Sequence, residues 1–200
     1  ATGFRMNVDG RKGSSFNNVG ILANDSMYVF VEVTVDPNGG NQPLLIQDSV
    51  LFTVNGIRQS VLLEAYGQDV NLYKGGVTIT KDSILTANRP YLIYDSLVIA
   101  KGVSLNIEKG ATFYMHDKAS LIVHGSMNAL GTLDEPITFR GDRLDYILND
   151  ILPYDRTPGQ WGGITFKADS YGNVWDNVIV RNGTSGVYAS LPPRTGQRSR

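Results

Sequence analysis

The sequence lacks cysteine, a surplus of charge of either sign, and any long apolar run. The absence of cysteine excludes disulfides, thiolate zinc sites and thiol nucleophiles. The 18 basic and 19 acidic residues leave a net charge of −1, without the positive surplus that phosphate binding needs, so we expect no nucleic-acid partner. No apolar run is long enough for a transmembrane segment. With only two histidines, we expect no metal site and no cofactor.

Glycine and β-branched residues, by contrast, are abundant. The 22 glycines lie between short runs rich in valine, isoleucine, threonine and aromatic residues. Such runs favour strands, and glycine favours the turns that connect them. The sequence therefore predicts an all-β protein, with a partial antiparallel β-sandwich followed by a right-handed parallel β-helix and one short inserted helix.

Residues 1–72 form the first predicted domain, an antiparallel sandwich. Alternating apolar residues mark a strand between Ser26 and Val35, and Asn55-Gly56 is typical of a tight hairpin turn. Further strands are expected at Gly3 to Val8, at Asp48 to Val54 and at Ile57 to Ala65.

A resemblance refines this interpretation. The segment from Asn55 to Gly67, NGIRQSVLLEAYG, resembles the last strands of immunoglobulin-like repeats of the abnormal-spindle/hydin type. Such domains have about seven strands, and about five are counted here. We therefore expect an immunoglobulin-like domain that is incomplete at its N-terminus, in a chain that is itself a fragment.

Residues 73–190 form the second predicted domain, which has an eight-residue period. One apolar position recurs in each octet, and a second position follows it two residues later. The first track is Leu97, Leu105, Phe113, Leu121, Ala129 and Ile137, and the second is Ile99, Ile107, Met115, Val123, Gly131 and Phe139. Because side chains alternate along a strand, residues two apart point inward together. The period thus predicts short strands stacked in a coil, with either about 24 or about 16 residues in each turn.

The same region resembles right-handed parallel β-helices of the pectin-lyase-like type. The phrases that carry the resemblance are LIVHGSMNALGT from Leu121, PITF from Pro136, QWGGITF from Gln160 and VIVRNG from Val178. An immunoglobulin-like module followed by a β-helix looks like surface proteins of Bacteroidetes. The resemblance implies an exported protein of the cell surface or extracellular space, anchored to the outer membrane through sequence outside this chain.

Two segments depart from the octet. Residues 142–152 predict an amphipathic helix that Asp142 caps and Pro153 ends. Its apolar residues at helical spacing are Leu144, Ile147, Leu148, Ile151 and Leu152. Residues 191–200 form a polar tail with no packing pattern.

Three side chains of the periodic region are weak candidates for ligand binding. Tyr114, His116 and His124 lie an odd number of residues from the inward track and should face outward. An exposed tyrosine can stack on a sugar ring. The two histidines lie on different strands and should not converge on a metal ion. The acidic residues fall at different phases of the octet, so no catalytic residue can be assigned.

Four Asp-Ser-apolar triplets carry a possible modification. Their serines are Ser26, Ser49, Ser83 and Ser96. Exported Bacteroidetes proteins are O-glycosylated at such triplets, so the resemblance implies O-glycosylation here. The alternative is that Asp-Ser opens a strand after a turn.

Three functional hypotheses follow. The leading hypothesis is a non-enzymatic surface protein whose β-helix presents a face to glycans or to host or cell-surface proteins. The alternative is a fragment of a β-helix polysaccharide lyase or hydrolase whose active turns lie outside this chain. A third is a self-assembling adhesin, which predicts a stable trimer.

Overall fold

A computed structural model describes residues 3–36, 39, 44–144 and 154–190. The chain divides into two compact units, residues 1–69 and 70–200. Among the described residues all regular structure is β-strand, with no helix. The predicted all-β class is therefore confirmed.

The first unit contains two antiparallel sheets. Its strands are β1 (Gly3–Val8), β2 (Arg11–Gly13), β3 (Val29–Thr34), β4 (Leu44–Val54) and β5 (Ile57–Gly67). In the three-stranded sheet β1 lies between β2 and β3, and β4 pairs with β5 as a separate hairpin. Asn55 and Gly56 both have positive φ, 50° and 81°, as a tight two-residue hairpin turn requires. The predicted hairpin is confirmed.

The second unit is a parallel β-solenoid of about five turns. Its strands in chain order are β6 (Asn71–Tyr73), β7 (Val77–Ile79), β8 (Ser83–Leu85), β9 (Tyr91–Ile93), β10 (Ser96–Ile99), β11 (Ser104–Ile107), β12 (Thr112–Met115), β13 (Ser120–Val123), β14 (Ser126–Leu130), β15 (Ile137–Gly141), β16 (Gly163–Phe166), β17 (Val174–Asp176), β18 (Val178–Val180) and β19 (Val187–Ala189). Every third strand pairs in parallel, which gives three sheets. Sheet X contains β6, β9, β12, β15 and β18; sheet Y contains β7, β10, β13, β16 and β19; sheet Z contains β8, β11, β14 and β17.

The pairing register decides the length of a turn. Leu97 pairs with Leu121, and Phe113 pairs with Phe139. A turn thus holds three strands and about 24 residues, rather than two strands and about 16. The eight-residue interval is not kept throughout; for example, Leu105 pairs with Met127 rather than with Ala129. Turn lengths vary, but the strands still pair so that inward side chains of successive turns lie opposite one another.

The inward side chains form one apolar core. The residues of both predicted tracks are buried, together with Ile93, Met127, Trp161 and Ile164. In sheet X the rings of Tyr91 and Phe113 stack with centroids 4.9 Å apart, and those of Phe113 and Phe139 stack at 4.5 Å. Such stacking adds to the stabilisation by apolar burial and fixes the alignment of successive turns.

The two segments that depart from the octet lie largely outside the described residues. Of the predicted helix at residues 142–152, the structure describes only residues 142–144, which are not helical. Asp142 instead contacts a histidine of the preceding turn. The tail at residues 191–200 also lies outside the described part of the chain.

Candidate functional site

Outward side chains differ among the three sheets of the solenoid. On sheet X the central outward column, followed by register from the first turn to the fifth, is Leu72, Leu92, Tyr114, Arg140 and Arg181. Along sheet Y the corresponding column is Thr78, Val98, Ile122, Thr165 and Tyr188. On sheet Z, Ile84, Asn106, Asn128 and Val174 face outward. Both arginines of these columns therefore lie on sheet X.

A second line of functional side chains runs along the corner that follows sheet X. It contains Lys74, Tyr94, His116 and Asp142, one residue past the strand in four successive turns, and we call it the corner column. Backbone hydrogen bonds align it, because His116 N donates to Ile93 O at 2.8 Å and Asp142 N donates to Met115 O at 3.1 Å.

The corner column is a continuous chain of contacts. The Lys74 ammonium lies 5.5 Å from the centroid of the Tyr94 ring, which lies 4.2 Å from the centroid of the His116 ring. His116 Nδ1 lies 2.6 Å from Asp142 Oδ2. The tyrosine ring therefore has a cation near it and an imidazole packed against it at an interplanar angle of 32°. Its polar edge, rather than a free ring face, is what remains for a ligand.

An ion-pair network joins the outward face of sheet X to the segment that precedes β16. Arg140 Nη2 lies 3.1 Å from Asp155 Oδ1, and Arg181 Nη1 lies 3.1 Å from Asp155 Oδ2. The Asn182 amide donates to the backbone oxygens of Tyr154 and Asp155 at 3.0 and 2.9 Å. The segment around Asp155 is therefore fastened to two turns of sheet X.

A second histidine–aspartate pair lies at the corner between sheets Y and Z. His124 Nδ1 lies 3.0 Å from Asp169 Oδ1. Partial desolvation acts to raise the pKa of Asp169, but the hydrogen bond with His124 and the positive charges of His124 and Lys101 outweigh it. The pKa of Asp169 therefore lies below its usual value.

The three predicted ligand-binding residues occupy separate positions. Tyr114 lies in the centre of sheet X and is half-buried, while His116 and His124 have side chains that are 41% and 37% exposed. The structure brings Tyr114 and His116 to one face, because they are two residues apart on β12 and its corner. His124 lies across sheet Y. No group of three or more potential metal ligands occurs among the described residues.

The four serines of the Asp-Ser-apolar triplets have different surroundings. Ser26 and Ser49 are exposed, and each donates its backbone N–H to Oδ1 of the preceding aspartate, at 2.8 and 2.7 Å. Ser96 is half-buried at the start of β10. Ser83 is also half-buried, pairs in register with the inward Leu105, and donates from Oγ to Lys81 O at 2.8 Å. A glycosyl group would find more room at the first two serines than at Ser83.

Several residues of the corner column and its surroundings are not evident from the octet. Tyr94 is the partner of His116, yet they lie in turns whose lengths differ from three octets. His124 and Asp169 are 45 residues apart in sequence. A signal for Tyr94 does exist, since Tyr94 and His116 each follow an apolar-x-apolar strand. That signal becomes useful only once the order of the turns is known.

These features define the second unit as a parallel β-helix with one outward face richer in aromatic and cationic groups. Among curated proteins, the chain is similar to Protein bark beetle of Drosophila melanogaster, with 31% identity over 104 residues. The match covers 50% of this chain and 3% of the fly protein, so the chain spans a small part of that relative's length. No protein-family model matches the chain, and no solved structure matches it.

The part of the chain that the structure describes contains no helix long and apolar enough to cross a membrane.

Proposed function

We propose that the chain is part of a non-enzymatic, exported surface protein, and that sheet X with its corner column is a glycan- or protein-binding face. The observation that carries the proposal is the concentration of Tyr94, Tyr114, His116 and two arginines on one sheet and its corner. Tyrosine and arginine are among the side chains most enriched where proteins bind partners.

The solenoid suits such a face because it positions side chains rigidly. Neighbouring turns are about 4.8 Å apart, and each outward side chain is held by a strand whose inward neighbours are buried. Tyr114, for example, lies between the buried Phe113 and Met115. A ligand therefore meets groups that lose little conformational entropy on binding.

Glycans are one ligand class that this chemistry fits. The ring of Tyr114 offers an apolar surface for the C–H groups of a sugar, with a hydroxyl at its tip. Arg140 and Arg181 lie one and two turns further along the same column, and Arg181 is the more exposed of the two. A linear ligand lying along the solenoid axis would meet these groups in succession.

The finer family assignment belongs to the same proposal. The pectin-lyase-like type of β-helix, the immunoglobulin-like character of the first unit and an origin among Bacteroidetes surface proteins rest on the sequence phrases that begin at Asn55, Leu121 and Gln160. O-glycosylation at Ser26 and Ser49 would accompany export to the cell surface.

A matched pair of tyrosine variants tests the binding face. The chain is applied to an array of glycans and to extracellular-matrix proteins, and binding is then compared for Tyr114→Ala and Tyr188→Ala. Tyr188 is an outward tyrosine on sheet Y. We expect Tyr114→Ala to weaken binding about tenfold and Tyr188→Ala to leave it within about twofold, the range of a lost interface contact against a neutral one. Equal losses in both variants would remove sheet X as the binding face.

The lyase or hydrolase hypothesis predicts a different outcome. Because it places the active turns outside this chain, unsaturated or reducing sugar ends would be released from polysaccharides only by a longer protein that contains those turns. Turnover that His116→Gln abolishes would contradict a non-enzymatic role for this chain, since His116 with Asp142 is a histidine–carboxylate pair of the kind that general bases use. A trimer in light scattering would favour the self-assembling adhesin.

A further inference from the structure

Both histidines of the chain make the same contact between the same two turns. His116 precedes β13 and His124 follows it, in the third turn of the solenoid. Their partners, Asp142 and Asp169, lie before and after β16 in the fourth turn. In each pair the imidazole Nδ1 meets one carboxylate oxygen, at 2.6 and 3.0 Å.

The two pairs thus lie at the two ends of one strand junction. β13 and β16 are paired in register from Ser120 with Gly163 to Val123 with Phe166. The fourth turn is also where the regular turn is interrupted, by residues 142–162 before β16 and residues 167–173 after it.

The junction between the second and third turns has no such pair and serves as an internal comparison. There the position equivalent to Asp142 is Tyr94, whose ring packs against that of His116. The position equivalent to His124 in the second turn is Ala100, since each lies one residue past its strand, β13 and β10 respectively. A change in the charge of the histidines therefore alters their attraction to carboxylates of the fourth turn, whereas neither histidine has such a pair with the second turn.

Other charged groups near the two histidines also interact with the two pairs. His116 has Asp142 on one side and Tyr94 on the other, with Lys74 beyond the tyrosine ring. Asp117 and Lys118 follow it on its own turn and lie 3.9 Å from each other.

Around His124 the charged neighbours are Asp169, the Lys101 of the preceding turn and Lys167 of the following turn. Lys101 interacts with Asp169 at any pH near neutrality, which reduces the dependence of this second pair on the charge of His124.

We propose that the two histidine–aspartate pairs form a pH-sensitive clamp, which holds the fourth turn on the third more tightly at mildly acidic pH than at alkaline pH. Histidine is the side chain that ordinarily changes charge between about pH 5 and 8. A protonated imidazole adds an opposite charge to its hydrogen bond with the carboxylate, whereas a neutral imidazole can still donate to the carboxylate but without that ion pair. The added stabilisation of the contact between the third and fourth turns is therefore lost as the pH rises.

Hydrogen exchange of backbone amides tests the clamp. Gly162 N donates to Ala119 O and Lys167 N to Val123 O, so these amides report the junction of the third and fourth turns. Ser120 N donates to Asp95 O and Ser126 N to Val103 O, and they report the junction of the second and third turns. After correction for intrinsic exchange, we expect the protection ratio between the two sets to fall about fivefold from about pH 5.5 to about pH 8.

The variant His116→Gln/His124→Gln is the control, because glutamine keeps a neutral side-chain donor but cannot acquire a charge in this range. Its protection ratio should not change with pH. A wild-type ratio that is constant with pH, or a double variant that keeps the full dependence, would overturn the clamp. If the double variant does not fold, each single variant is measured, and a full dependence in both overturns it equally.

Discussion

The two units of the chain bury their apolar side chains to very different extents. In the solenoid the inward residues are almost completely buried, and they include the stacked rings of Tyr91, Phe113 and Phe139. Among the described residues of the first unit, only Val8 and Val50 are buried apolar side chains. Both units are built from strands with alternating apolar residues, so alternation alone does not explain the difference.

The closed coil of the solenoid explains why its apolar side chains are buried more completely than those of the first unit. Each solenoid strand is covered on its inner side by the other two sheets of the same coil, and stacked turns cover one another. The first unit contains a three-stranded sheet and a two-stranded hairpin, and a sheet of so few strands has little to cover its apolar face. Phe30, Leu51 and Leu62 accordingly remain exposed. Alternation therefore tells which side chains share a face, and the architecture decides whether that face is buried.

The largest contrast is expected when a charge is placed at the centre of each unit's apolar pattern. Leu121→Asp puts a carboxylate at a position that is 1% exposed, which should cost more than about 4 kcal/mol and unfold the solenoid. Leu51→Asp, at a position 68% exposed in the first unit, should change stability by less than about 0.5 kcal/mol.

Thermal unfolding is followed by tryptophan fluorescence for Leu121→Asp and by far-ultraviolet circular dichroism for both variants. Both tryptophans, Trp161 and Trp175, lie in the solenoid unit, so the fluorescence signal reports that unit alone. A Leu121→Asp protein that melts at the parent's temperature would show that the inward track is assigned to the wrong face.

The second contrast compares two phenylalanines. Phe113→Ala removes the middle ring of the aromatic stack and should cost about 3 to 5 kcal/mol in urea unfolding. Phe30→Ala removes a ring that is 68% exposed in the first unit, so its cost should be below about 1 kcal/mol. Similar losses of stability for the two substitutions would mean that Phe30 is covered by another molecule in solution. The difference in burial between the two units would then be smaller than the structure shows.

The sequence predicts the strands and the core of the solenoid because their signals are local. The inward positions Leu97 and Ile99 are two residues apart, as strand geometry requires, and the same pair recurs at Leu121 and Val123. The hairpin at Asn55-Gly56 is equally local, since its backbone needs positive φ at both residues.

The parts that escape prediction depend on how turns of unequal length align. The shift of one interval at Met127 follows from the register between β11 and β14, which no short window of sequence contains. The histidine–aspartate pairs are more distant still, at 26 and 45 residues in sequence. Exposure of the first unit's alternating face, at Val31 and Val33, could not be predicted either, because coverage is a property of the whole fold.

A third contrast concerns backbone packing at two glycines. A Cβ at Gly125 would lie 2.1 Å from Val103 O and 2.5 Å from Ala100 O, so the neighbouring turn would have to move. Gly20 in the first unit has open space around it. Gly125→Ala should therefore cost about 1 to 3 kcal/mol, and Gly20→Ala close to zero, in the same urea experiment. Equal stability of the two variants would show that the turns of the solenoid separate more easily than their hydrogen bonds suggest.

The smallest expected effect is an acid dependence confined to the solenoid. Because the pKa of Asp169 is lowered in the folded chain, its carboxylate stabilises the fold above the unfolded-state pKa of about 3.9. That contribution is lost as the pH falls through the lower, folded-state pKa. Asp169→Asn should therefore lower stability at pH 6 but not at the acid end, which flattens the pH dependence of tryptophan fluorescence melts between about pH 5 and 2. Asp117→Asn, at an exposed turn, is the control, and an equal flattening there would assign the acid dependence to general surface charge rather than to the pair with His124.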